Sequence, residues 1–120
     1  MKVRCVRLLN SEGHPEEESE WVKLEKIYHV LELAIDRNRS TVRIIGEIET
    51  TPALYDLRQF EIVSPKLPPN WIIKRPTLER VEFAPALWTR TGFWEDFFDG
   101  KPDAVMCYEE EKKKILEFDP

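Results

Sequence analysis

The chain has 120 residues, of which 42% are hydrophobic and 11% aromatic, enough apolar surface for one core and too short for a second independent domain. Its 18 basic and 23 acidic side chains leave a formal charge of −5, which argues against nucleic acid as a partner, since such modules carry a clustered basic footprint. No window approaches the ~18 apolar residues of a membrane span, and the charged N-terminus lacks the apolar run of a signal peptide, so the expectation is a cytoplasmic protein without a membrane partner.

In chain order, Lys2 to Leu9 alternates apolar and basic residues as a strand with one buried face does. Asn10 to Glu20 contains Gly13, Pro15 and the acids Glu16, Glu17, Glu18 and Glu20, a solvated loop suited to face a basic partner. Ile27 to Ile35, rich in β-branched and aromatic residues, reads as one strand, with a helix over Val22 to Ile35 as the competing reading. The polar turn Asp36 to Ser40 and the following Thr41 to Ile48 favour a hairpin. Thr51 to Tyr55 and Phe60 to Val63 close a set of five short strands, for which a small curled antiparallel sheet, an SH3-like partly open barrel, is the economical architecture.

Pro65, Pro68 and Pro69 deny backbone donors and fix φ, so residues 65–71 form a stiff bridge between the β-rich part, residues 1–64, and the remainder, 72–120. Both sides are acidic, with 9 basic against 12 acidic groups before the bridge and 9 against 11 from Pro65 onward, so neither is a charged tail. Trp71 to Lys74 and Glu79 to Phe83 read as a strand pair, Ala84 to Trp88 as a helical turn, and Gly92 to Phe98 as a short helix capped by Thr91. Pro102 opens a last helix ending near Phe118, whose stripe Ala104, Tyr108, Ile115 and Phe118 docks on the sheet. The class is therefore α+β, with helices packed on the sheet in a single domain.

A search for chemistry gives little. His14 and His29 have no second histidine at ligand spacing. Cys5 and Cys107 form no Cys-x-x-Cys and are expected as buried free thiols. Four glycines build no phosphate-cradling loop. Asp56 with Glu61, or Asp96 with Asp99, can be drawn as acid and base, yet turn formation and helix-end placement account for them. No catalytic residue, cofactor or metal is expected. The aromatic run Trp88, Phe93, Trp94, Phe97 and Phe98 is mainly core at helical spacing. An exposed Trp94 flanked by Glu95, Asp96 and Asp99 would instead be an aromatic anchor in an acidic rim, and Trp94, Asp96 and Asp99 with Glu16, Glu17 and Glu18 are the candidate partner-binding set.

Ala53 to Leu57 resembles the ALYDY sequence of SH3 peptide-binding domains, but Pro68 to Ile72 follows far too closely to be their closing strand, so no PxxP groove is assigned. A second likeness runs through most of the chain: Met1 to Cys5, Tyr28 to Leu31, Phe60 to Ser64, Pro69 to Trp71 and Gly92 to Glu95 resemble a group of small bacterial proteins similar to the immunity proteins of polymorphic and contact-dependent toxin systems. That resemblance implies an acidic inhibitor that blocks a cognate, basic toxin domain in the producing cell, and it carries over no site residue. The reading from another class is a stand-alone SH3-like regulatory or adaptor module binding a peptide or small ligand.

Overall fold

A computed structural model describes residues 1–48 and 50–120. Among the described residues eight strands run in chain order: β1 (Lys2–Cys5), β2 (Ile27–His29), β3 (Glu32–Asp36), β4 (Thr41–Ile44), β5 (Ala53–Asp56), β6 (Phe60–Ser64), β7 (Trp71–Thr77) and β8 (Arg80–Pro85). Two helices follow, α1 (Phe93–Phe98) and α2 (Pro102–Phe118). The strands form two antiparallel sheets, one ordered β2-β1-β6 and the other β5-β4-β3-β8-β7. The class is the expected α+β, an antiparallel framework with helices against it, but its strands divide between two sheets and no closed barrel forms among the described residues.

The division occurs inside the run expected as one strand, Ile27 to Ile35. Val30 donates its N–H to the Met1 carbonyl, on the side of β1, whereas Leu31 donates to the Arg43 carbonyl of β4. A single strand alternates its faces, yet these neighbours are both buried, Val30 in one core and Leu31 in the other. The first core lies between the sheets and contains Val3, Cys5, Tyr28, Val30, Leu33, Val42, Ile44 and Phe60. In the second, Leu31 meets Trp88 of a 3-10 turn, Phe93 and Phe97 of α1, and Ala104, Tyr108 and Ile115 of α2. The backbone bonds of these two residues, to Met1 on one side and to Arg43 on the other, mark where the chain leaves one sheet for the next.

Pro102 occupies the first turn of α2, where its missing N–H costs nothing. Ala104, Tyr108 and Ile115 are buried as the stripe requires, whereas Phe118 is 42% exposed. The end of the helix is tied by Asp119, which accepts a 2.6 Å hydrogen bond from the Ser64 hydroxyl and pairs with the Met1 amino group. The Ser64 bond is the main cause that holds the Asp119 carboxyl below its ordinary value. His29 hydrogen-bonds through Nε2 to the Asp119 carbonyl at 2.7 Å, a packing role. At α1 the cap differs from expectation: Gly92, at φ 82°, precedes the helix with no side-chain cap, because the left-handed backbone there suits glycine and Thr91 makes no capping bond.

Candidate functional site

Alternation along the strands gives the five-stranded sheet two unlike faces. Leu33, Val42, Ile44 and Phe83 turn toward the first core. Their neighbours Glu32, Asp36, Thr41, Arg43, Arg80 and Glu82 occupy the other face. Register places opposite charges side by side: Glu32 lies across from Arg43, and Asp36 across from Arg80. Arg43 Nε donates to Glu32, while Arg80 reaches Glu82 at 2.9 Å and Asp36 at 3.3 Å. The Arg43 guanidinium also lies 3.9 Å from the centre of the Trp94 ring. Burial pushes the Glu32 carboxyl above its ordinary value, against the pull of Arg43. A cavity of about 210 Å³ is lined by Glu32, Arg43, Arg80 and Glu82 and by Trp88, Thr89, Arg90 and Trp94.

A larger groove, about 620 Å³, runs along β5 beside the acidic loop. The loop is ordered by its own bonds: Asn10 Oδ1 accepts from the Glu12 and His14 N–H groups, Leu9 bridges to Pro15, and Glu16 donates its N–H to Leu8. Arg39 ties it to the β3–β4 turn through the Ser11 carbonyl at 2.9 Å. Trp21 stands at the end of the loop, and its carbonyl accepts from the Glu47 N–H. Gly46 makes that approach possible, since a Cβ there would come within 2.5 Å of the Trp21 carbonyl oxygen. The apolar part of the wall is exposed, Trp21 by 45% and Leu54 by 52%. Asp56 at its base is buried and held below its ordinary value chiefly by hydrogen bonds from Arg58, with Arg39 adding its charge. Asp56 also caps the 3-10 turn Leu57–Gln59, the turn-forming role expected of it.

The candidate residues fall in two places. Glu16 lines the groove, with Glu17 and Glu18 exposed on the same loop, and these three and Glu20 form no ion pair among the described residues. Trp94 and Asp96 lie in α1, and Asp99 caps its C-terminal end. Trp94 is half-buried, edge-on to Trp88 at 5.5 Å and to Phe97 at 5.4 Å. Asp96 bonds Lys101 at 3.1 Å and Arg90 at 3.0 Å, contacts that hold its carboxyl low. The acids at Trp94 are thus partly neutralised within the chain, while those at Trp21 are not. Trp21 and Arg43 were not singled out from the sequence; an isolated glycine at position 46, just after an apolar strand, was the available sign of a close backbone approach. Among the described residues no group of three or more His, Cys, Asp or Glu is arranged to hold a metal ion, and no helix is long and apolar enough to cross a membrane. No family model, curated protein or solved structure matches the chain.

Proposed function

We propose that the chain is an inhibitor-type interaction protein, an immunity protein that binds and blocks a basic toxin domain in the cell that makes both, and that it carries no catalysis of its own. One observation carries this reading: Glu16 lines a groove whose wall is an exposed tryptophan and leucine, and Glu17, Glu18 and Glu20, unpaired like it among the described residues, are exposed on the same loop. Unpaired carboxylates on an ordered loop attract a basic surface at little desolvation cost until contact, raising the association rate. Trp21 then supplies the large apolar area that slows dissociation. The resemblance of the sequence to immunity proteins supports the same direction. Co-expression with any toxin domain encoded beside this chain is the test. Growth should be rescued by the wild-type chain and lost with Trp21→Ala combined with charge reversal at Glu16, Glu17 and Glu18. A purified neighbouring toxin domain that shows no binding to the wild-type chain overturns the proposal.

A further inference from the structure

The cavity beside Trp88 and Trp94 shares only Thr41 and Leu54 with the groove at Trp21. Its central group is Arg43, held at two points by the bond from Nε to Glu32 and by the stack on Trp94. The side chain is only 11% exposed, yet among the described residues no acceptor takes Nη1 or Nη2. Four of its five N–H donors are thus left for an acceptor that enters the cavity. The Trp88 indole, lining the same cavity, keeps a buried N–H that also lacks an acceptor.

We propose that this cavity binds a small planar monocarboxylate, gripped by the Arg43 fork beside the Trp88 and Trp94 indoles. Arg43 is pre-oriented, so little side-chain freedom is lost on binding, and its planar donors match a carboxylate in a bidentate pair. The charges favour a single negative charge. Arg80 is engaged through Nε and Nη1 by Glu82 and Asp36, and Arg90 through Nη1 and Nη2 by Thr91 and Asp96, whereas Arg43 keeps both terminal nitrogens without an acceptor among the described residues. Glu32 and Glu82 repel a doubly charged oxyanion more strongly than a monoanion. The volume, about 210 Å³, lies below the ~300–1,000 Å³ of sites for drug-sized ligands, which limits the occupant to an acid of about benzoate size.

Benzoate titrated into the isotope-labelled full chain tests this directly. Saturable shifts are expected at the Trp88 and Trp94 indole N–H resonances, with the Trp21 indole unmoved. Arg43→Gln should weaken binding by at least about tenfold, whereas Glu32→Gln, which removes a competing anion, should tighten it. Benzamidine, the same shape with a cationic head, and inorganic phosphate should leave the resonances in place. Saturation by benzamidine or by phosphate overturns the proposal, as do benzoate shifts that spare Trp88 and Trp94. So does an Arg43→Gln variant that melts as a folded protein and binds benzoate as tightly as the wild type. Should that variant not fold, the wild-type indole pattern and the direction of the Glu32→Gln change decide alone.

Discussion

Trp21 and Trp94 each stand beside acidic residues, and the chain treats the two neighbourhoods in opposite ways. Around Trp94 the protein has used its own cations: Arg43 covers the ring, and Arg90 and Lys101 bind Asp96. The indole contacts Trp88, Phe93, Phe97 and Tyr108 as part of the second core. Around Trp21 no such closure occurs. The ring is 45% exposed, its backbone is fixed against Gly46, and Glu16, Glu17, Glu18 and Glu20 of the preceding loop are left without an ion pair among the described residues. Aromatic residues next to carboxylates therefore do not define a docking site by composition. What separates the two regions is whether the charges are already satisfied within the fold, because an intramolecular ion pair has little left to offer a partner.

The sharpest way to break the comparison is to remove the support behind Trp94. Deleting residues 101–120 takes away Ala104, Tyr108 and Ile115, all at most 2% exposed. Losses of ~2–5 kcal/mol for each large buried side chain exceed what a domain with ~5–15 kcal/mol of total stability can absorb. The truncated chain should show no cooperative melting transition, and a melting temperature equal to that of the full chain would mean that the second core is not part of the cooperative unit. Single substitutions give the next largest effect. Trp94→Ala should cost about 2–3 kcal/mol of stability by loss of ring contacts, whereas Trp21→Ala should stay within ~0.5 kcal/mol in a melting curve. In the proposed toxin binding the order should reverse, with Trp21→Ala speeding dissociation by about 2 kcal/mol. Equal stability losses at the two positions would erase the distinction.

How much of this was legible in the sequence depends on how local each signal is. Pro102 followed by Ala104, Tyr108 and Ile115 marks α2 because a helix start and a helical stripe are written in consecutive turns. The hairpin turn Asp36 to Ser40 is legible for the same reason, since Asp36 Oδ1 accepts from the Asn38 N–H two residues on. The placement of β1 between β2 and β6 joins residues far apart in the chain, and no local pattern encodes it. Val30 and Leu31 did carry a sign, a break in alternation, but a buried strand and a strand that changes sheet look alike until a second core is known. The Arg43–Trp94 stack is the extreme case: each residue is ordinary in its own segment, and only their meeting forms the cavity.

Asp56, at the base of the Trp21 groove, sharpens the comparison through pH. Its carboxyl is held low mainly by Arg58, so its contribution to stability is complete above the ordinary Asp value of ~3.9 and is lost as pH falls through the lower folded-state value. Asp56→Asn should therefore cost about 2 kcal/mol at neutral pH, with the gap to wild type closing as both are acidified. A gap that stayed constant down to strong acid would show that the charge contributes nothing. Smaller still is the expected charge effect on association. Reversal at Glu16, Glu17 and Glu18 should slow association with a basic toxin domain about tenfold at low salt, or ~1.4 kcal/mol, and the effect should shrink as the screening length falls from ~10 Å at 0.1 M to ~3 Å at 1 M. Reversal at Asp96 and Asp99 should alter association less, because Asp96 is already bound to Arg90 and Lys101.

The smallest effect is expected of Tyr108→Phe, behind Trp94. Its ring is buried and stacked 5.3 Å from Trp88, while its hydroxyl has no partner among the described residues. Burial is the chief reason that hydroxyl resists ionisation. Tyr108→Phe retains the ring packing and removes a polar atom whose desolvation is uncompensated, so stability should stay within ~0.5 kcal/mol of wild type or rise by up to ~1 kcal/mol. Tyr108→Ala, which removes the ring as well, should cost about 3–5 kcal/mol. The pair of variants measured by denaturant unfolding separates ring from hydroxyl. A loss of more than ~1 kcal/mol in Tyr108→Phe would show that the hydroxyl is bonded in solution, and the second core would then hold a polar contact as well as stacked rings.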